Sequence, residues 1–162
     1  MSATTRVLWG IAGLLAVALI AAALYRGWPI LFPEVMQTAP LDPACDLRAG
    51  PCRARFPDGG TVRLGIEPRS IPVVEPLQLS VQVEGIDASA VEVDFAGTDM
   101  EMGFNRVRLL PAPPPPRGGD VFVGQAMLPI CVRSRMEWEA KVMLTTPQGL
   151  WVAPFRFETF RR

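Results

Sequence analysis

The sequence predicts an all-β protein, an immunoglobulin-like antiparallel β-sandwich of about seven or eight strands preceded by a single N-terminal transmembrane helix. Three observations lead to this fold class. Apolar and polar residues alternate in short runs along most of the chain, glycine or proline separates these runs, and residues 7–25 carry no charged side chain. The alternation places one face of each strand toward a core and the other toward water.

The uncharged run at residues 7–25 is long enough to form a helix across most of a hydrocarbon core of about 30 Å. A cleaved secretory signal is the rival interpretation, because residues 21–23 offer an Ala-x-Ala cleavage site, although signal apolar regions are usually shorter. Residues 1–6 are too few to form a domain, so we expect a cytoplasmic stub there. The protein is then a single-pass protein of a bacterial inner membrane, with its C-terminal domain in the periplasm.

Residues 26–43 contain four prolines and are predicted to form a semi-rigid linker. Residues 44–162 are enough for one domain with its own core and not for two. We therefore expect one periplasmic β-sandwich domain, which the stiff linker keeps close to the bilayer.

Eight alternating runs in this domain are predicted to be strands. They are residues 52–56, 61–67, 77–84, 91–95, 104–110, 121–128, 136–144 and 150–160. Residues 58–60 are Asp-Gly-Gly, in which glycine supplies the positive φ that a hairpin turn needs, so the first two runs are predicted to pair. Residues 112–119 are rich in proline, cannot pair in a sheet, and are predicted to form an extended, solvated loop.

The charged residues exclude several classes of function. The chain has 16 basic and 16 acidic residues and no basic run, so nucleic acid is not an expected partner. It has no histidine, which removes imidazole bases, histidine-containing catalytic triads and metal sites that need a ring nitrogen. Glu137 and Glu139 share one strand face, but no nucleophile and base accompany them, so an enzyme is not expected.

The chain has three cysteines, and an oxidising compartment favours their pairing. A short segment separates Cys45 from Cys52, and Gly50 and Pro51 can turn the chain between them, so we expect a disulfide. A thiol pair for redox chemistry or metal binding is the alternative, but no βαβ pattern accompanies it. Cys131 is then the odd cysteine and requires an explanation.

Sulfur-bearing residues lie in two predicted turns at strand ends. Met100 and Met102 face the same side of an extended segment because they are two residues apart. Cys131 lies in the other turn, shortly before Met136. If the turns converge, these four residues form a sulfur-only site, and soft sulfur ligands select Cu(I). Three structural interpretations stay open: Met136 fills the core, Cys131 is a buried inert thiol, and the exposed methionine pair is a protein contact.

Two of these segments carry a resemblance to a known family. The chain resembles small membrane-anchored periplasmic proteins with a YtkA-like or FixH-like immunoglobulin fold at TDMEMG (residues 98–103) and at LPICVRSRMEW (residues 128–138). The stretch at residues 124–129 and the strand that carries Trp138 share this resemblance. The resemblance implies copper handling and assembly of respiratory haem-copper oxidases. Histidine often shares metal binding in periplasmic copper chaperones, so its absence here implies a site of sulfur ligands alone.

The sequence hypothesis is therefore a membrane-tethered periplasmic Cu(I)-binding protein, a chaperone or accessory factor for a membrane-embedded respiratory oxidase. Its ligands are Met100, Met102, Cys131 and Met136, and its partners are the inner membrane and that respiratory complex. The alternative is a metal-free periplasmic module that takes part in the assembly of a membrane complex and uses its methionines as a contact surface.

Overall fold

The computed structural model describes residues 3–31, 34–100, 103–113, 118–130 and 134–160. Within these residues the chain forms one helix and nine strands. The elements are α1 (Ala3–Leu31), β1 (Val35–Thr38), β2 (Cys52–Arg55), β3 (Thr61–Glu67), β4 (Pro76–Glu84), β5 (Ala90–Gly97), β6 (Arg106–Ala112), β7 (Asp120–Met127), β8 (Arg135–Thr146) and β9 (Gly149–Phe160). The predicted dominance of β structure is confirmed, with one strand more than the eight predicted runs.

The chain divides into two compact units, and the boundary falls between Glu34 and Val35. The first unit contains α1, which has 29 residues and includes the uncharged run at residues 7–25. The side chains of residues 11–26 on this helix are exposed. Among the residues that the structure describes, no helix is both long enough and apolar enough to cross a membrane.

The second unit, here called the β unit, begins with a strand that the sequence did not predict. β1 lies inside the segment predicted to be a linker and pairs in parallel with β9, where Val35 is opposite Leu150. The amide of Ala39 continues this pairing and donates a 2.9 Å hydrogen bond to the carbonyl of Val152. The β unit therefore begins before residue 44, at Val35.

The nine strands form one continuous sheet in the order β1-β9-β8-β5-β6-β7-β4-β3-β2. All neighbouring pairs except β1 and β9 are antiparallel. The first part of β6 pairs with β5 and its last part, from Leu110 to Ala112, pairs with β7. The opposite ends of the sheet also approach each other, since the rings of Phe56 and Trp151 are 5.0 Å apart.

The inward faces of both halves of the sheet contribute to one hydrophobic core. The predicted alternation is confirmed in β4, where Leu77, Leu79, Val81 and Val83 are buried, and in β8, where Met136, Trp138, Ala140, Val142 and Leu144 are buried. Trp138 is fully buried, and its indole N–H donates a 2.9 Å hydrogen bond to Thr159 Oγ1 on β9. The core thus holds an aromatic side chain whose single donor is satisfied.

The predicted disulfide between Cys45 and Cys52 is confirmed, with their Cα atoms 5.6 Å apart. Cys52 is the first residue of β2 and is buried, whereas Cys45 lies in the preceding segment. The bond therefore fixes the segment between β1 and β2 to the edge of the sheet.

Candidate functional site

The strand directions bring three connections to the same end of the β unit. This end, here called the far end, comprises the described residues of the β3–β4, β5–β6 and β7–β8 connections together with Phe160, the last residue of β9. The opposite end, here called the entry end, carries Val35 and the turn between β8 and β9. The turn after β2 also lies there, since the side-chain amide of Gln37 donates to the carboxylate of Asp58.

Hydrogen bonds join the three far-end connections. The amide of Val74 donates to the carbonyl of Leu128 at 2.9 Å, which links the β3–β4 and β7–β8 connections. The side chain of Asn105 donates to the carbonyl of Met127 at 3.2 Å, which links the β5–β6 connection to the end of β7. These bonds hold the described residues of the three connections together at one end of the β unit.

Two of the four predicted ligands lie within the described residues. Met100 is partly buried and packs against the core, and Met136 is only 5% exposed. Thr98, two residues before Met100, donates its amide to the carbonyl of Glu137, the residue after Met136, at 3.1 Å. The segment that leads to Met100 thus starts beside the strand that carries Met136.

The other two predicted ligands, Met102 and Cys131, lie outside the described residues. The described residues Gly103 and Ile130 stand next to them in the sequence, and both belong to far-end connections. The fold therefore brings Met100 and Met136 to the same end, and the sequence places Met102 and Cys131 in the connections of that end.

The burial of Met136 favours the interpretation that this residue fills the core over the interpretation that it binds a metal. Met136 shares the inward face of β8 with Trp138 and belongs to the hydrophobic core. A thioether at such a position fills core volume. Met100 is less buried than Met136 and lies beyond the end of β5.

The far end also carries apolar side chains that the sequence analysis missed. Phe104 is 83% exposed, Ile130 is 63% exposed, and Val74 and Phe160 are each 52% exposed. A depression of about 560 Å³ lies beside three of them, Val74, Ile130 and Phe160. Its lining comprises Ser70, Ile71, Pro72, Val73, Val74, Glu75, Ile130 and Phe160. The sequence signal that could have revealed part of this apolar surface was the pair Val73-Val74, two β-branched residues in a segment bounded by Pro72 and Glu75.

The backbone of the β3–β4 connection is strained at two β-branched residues. Ile71 has φ 45° and Val74 has φ 61°, and branched side chains rarely adopt these left-handed conformations. Such positions cost on the order of 1–3 kcal/mol each and occur most often at functional sites. Ile71 is buried, so packing offsets its strain, but Val74 is exposed and gains little from packing.

Two arginines lie close to the end of β9, whose last residue, Phe160, lines the depression. The Arg48 guanidinium lies over the ring of Phe160, 5.0 Å from its centroid. Arg135 donates to the carboxylate of Glu158, and this hydrogen bond, together with the negative charge, raises the pKa of Arg135 above its usual value.

In the described part of the chain, no three His, Cys, Asp or Glu side chains are arranged to hold a metal ion. No protein-family model matches the chain, and no curated protein or solved structure matches it. The YtkA-like or FixH-like resemblance accordingly stays a prediction.

Proposed function

We propose that the protein is a membrane-tethered periplasmic Cu(I)-binding protein that serves a membrane-embedded respiratory oxidase as a copper chaperone or accessory factor. The proposed ligands are Met100, Met102 and Cys131, in the connections of the far end, whereas Met136 fills the core. The observation that supports this site is the hydrogen bond from Thr98 to Glu137, which places the start of the Met100 segment beside Met136.

The proposed fold of the β unit is an immunoglobulin-like sandwich. The division of β6 between two neighbouring strands supports it, because a sheet that turns at this strand has two halves that face each other. The single core to which both halves contribute agrees with this arrangement. α1 is the proposed tether, on the basis of its uncharged residues 7–25.

The chemistry of the proposed site is ligand exchange, in which no covalent bond of the protein is made or broken. Thioether sulfurs bind Cu(I) weakly and release it readily, whereas a thiolate holds it more firmly. The sequence contains three cysteines, and two of them, Cys45 and Cys52, form a disulfide and so have no thiolate to offer a metal. Cys131 is therefore the cysteine that we assign to the metal.

Anaerobic titration of the full chain with Cu(I) against a competing chelator tests this assignment. We expect about one ion per chain, with weaker binding after Cys131→Ser and after the double substitution Met100→Leu/Met102→Leu. Met36→Leu is the matched control, because it removes an exposed methionine at the entry end. Stoichiometry well below one, or affinity unchanged in both far-end variants, would contradict the proposal.

A metal-free assembly module is the second candidate function, and the exposed apolar side chains of the far end favour it. Val74, Ile130 and Phe160 surround one depression, and exposed apolar patches on soluble surfaces often mark protein contacts. Co-purification from solubilised membranes separates the two candidates. A partner retained in the presence of a Cu(I) chelator, and lost after Val74→Ser/Ile130→Ser, supports the metal-free module.

A further inference from the structure

A second depression, here called the entry depression, lies at the entry end of the β unit. Its volume is about 550 Å³, and it is bordered by β1, the β2–β3 turn, the β4–β5 connection and the first residues of β9. Small-molecule sites in proteins have volumes of about 300–1,000 Å³, so one ring of a small ligand fits here. The lining includes Met36, Gln37, Asp58, Ile86, Asp87 and Trp151.

Two buried polar atoms of this lining have no hydrogen-bond partner within the part of the chain that the structure describes. They are Oε1 of Gln37 and the indole nitrogen Nε1 of Trp151. The amide nitrogen of Gln37 donates to the carboxylate of Asp58, which identifies the unpaired atom as the oxygen. Gln37 and Trp151 are directly opposite each other on β1 and β9, so their side chains lie on the same face of the sheet. Unpaired buried polar atoms are rare and costly, and these two need an explanation.

The hydrogen-bonding types of the two atoms restrict the ligand that could pair with them. An indole nitrogen only donates and a carbonyl oxygen only accepts, so the ligand must offer an acceptor to Trp151 and a donor to Gln37. An ammonium group offers donors only. An ionised carboxylate or phosphate offers acceptors only, and the acidic side chains of Asp58 and Asp87 would repel it. A neutral hydroxyl group both donates and accepts, so it satisfies both atoms.

The rest of the lining indicates a ligand with several hydroxyl groups on a carbon ring. The carboxyl oxygens of Asp58 and Asp87 accept further hydrogen bonds, and an amide group alone has too few N–H donors to supply them all. Met36 and Ile86 add apolar surface, which suits the C–H groups of a ring. A saccharide combines many hydroxyl groups with C–H faces of this kind.

The two side chains that carry the unpaired atoms differ in how firmly they are held. The ring of Trp151 packs against the core and lies 5.0 Å from the ring of Phe56, so its position is fixed. The side chain of Gln37 is held by an exposed hydrogen bond to Asp58. Side-chain rotamers often change when a ligand binds, and a turn of the Gln37 amide would bring its oxygen to the ligand.

We propose that the entry depression binds a neutral saccharide. One hydroxyl group accepts from Trp151 Nε1 and donates to Gln37 Oε1, and further hydroxyl groups donate to Asp58 and Asp87. The proposal does not rest on copper binding, since the proposed copper ligands lie in the connections of the far end.

Isothermal titration calorimetry of the full chain tests the proposal, in micelles of a polyoxyethylene detergent whose head group is not a sugar. The probes are glucose, N-acetylglucosamine, cellobiose and chitobiose. We expect at least one of them to bind with a Kd of about 1 mM or tighter. Added salt should change this affinity little, because the ligand carries no charge.

Two substitutions remove the unpaired atoms one at a time. Gln37→Met and Trp151→Phe should each weaken binding by about tenfold. Gln125→Met is the matched control, because Gln125 is exposed on β7 outside the lining, and it should change the affinity by less than about twofold. Gln37→Met removes a buried acceptor that has no partner, so its urea midpoint should stay close to that of the parent or rise.

Three results would overturn the proposal. The first is no binding of any of the four saccharides at about 50 mM, which would assign the two unpaired atoms to a bridging water. The second is unchanged affinity in both Gln37→Met and Trp151→Phe. The third is binding of the neutral peptide acetyl-Ala-Ala-amide without binding of any saccharide, which would make the entry depression a peptide site.

Discussion

The hydrogen bond between Trp138 and Thr159 allows a quantitative test of how the core is held together. Trp138 is fully buried, Thr159 is 4% exposed, and the indole N–H lies 2.9 Å from Thr159 Oγ1. Thr159→Val keeps the size of the side chain and removes the acceptor. The indole donor then has no partner in an environment without water, so we expect the free energy of unfolding to fall by about 1–3 kcal/mol.

A double-mutant cycle separates the hydrogen bond from the packing. Trp138→Phe removes the donor and also leaves a cavity, so its cost should exceed that of Thr159→Val. In the double variant both the indole donor and the hydroxyl acceptor are absent, so neither group is left buried without a partner. We therefore expect the double variant to be more stable, by about 1 kcal/mol, than the sum of the two single costs implies.

Urea denaturation of the full chain in non-ionic detergent, followed by far-ultraviolet circular dichroism, measures these free energies. Thr145→Val is the control, because Thr145 is an exposed residue of the same strand as Trp138, and its substitution should cost less than about 0.5 kcal/mol. If Thr159→Val were neutral, or the two single costs were additive, the hydrogen bond would contribute nothing to stability and the reasoning would be refuted.

Two further predictions concern the cross-link and a close backbone contact. Cys45→Ala/Cys52→Ala should lower the free energy of unfolding by about 2 kcal/mol, a modest value because the disulfide closes a short loop. In urea denaturation, reductant should destabilise the parent protein and leave the stability of the variant unchanged. Gly119→Ala should lower the free energy of unfolding by about 1–3 kcal/mol, because a Cβ atom there would lie 1.6 Å from the carbonyl oxygen of Val83. Gly50→Ala is the control, because its Cβ atom would meet open space, and equal urea midpoints for the two variants would contradict this prediction.

The sequence predicted most of the strands because their signal is local. Each of the eight predicted runs overlaps a strand of the structure, and the alternation in β4 and β8 identifies the buried side chains without knowledge of any partner strand. β1 gave no such signal. It has four residues, lies between prolines, and pairs with the last strand of the chain, so only contacts distant in the sequence define it.

The candidate sites were predictable to different degrees. The positions of Met100 and Cys131 after predicted strands already indicated loops at strand ends, and the phase of Met136 indicated its burial. The exposed apolar residues of the far end were not predictable, because exposure of Val74 depends on a left-handed backbone conformation that the sequence does not reveal.

The dimensions of the β unit separate the proposed copper site from the point where the chain enters. Val35 lies beside the first residues of β9, and the far end lies beyond its last residue, Phe160. β9 has 12 residues, and a rise of about 3.3 Å per residue makes it about 35 Å long. The expectation that a stiff linker keeps the copper ligands close to a membrane stays a prediction. The exposed apolar side chains of the far end are better placed than the linker to bring those ligands to a partner, since Ile130 is next to Cys131 in the sequence and Phe104 is two residues from Met102.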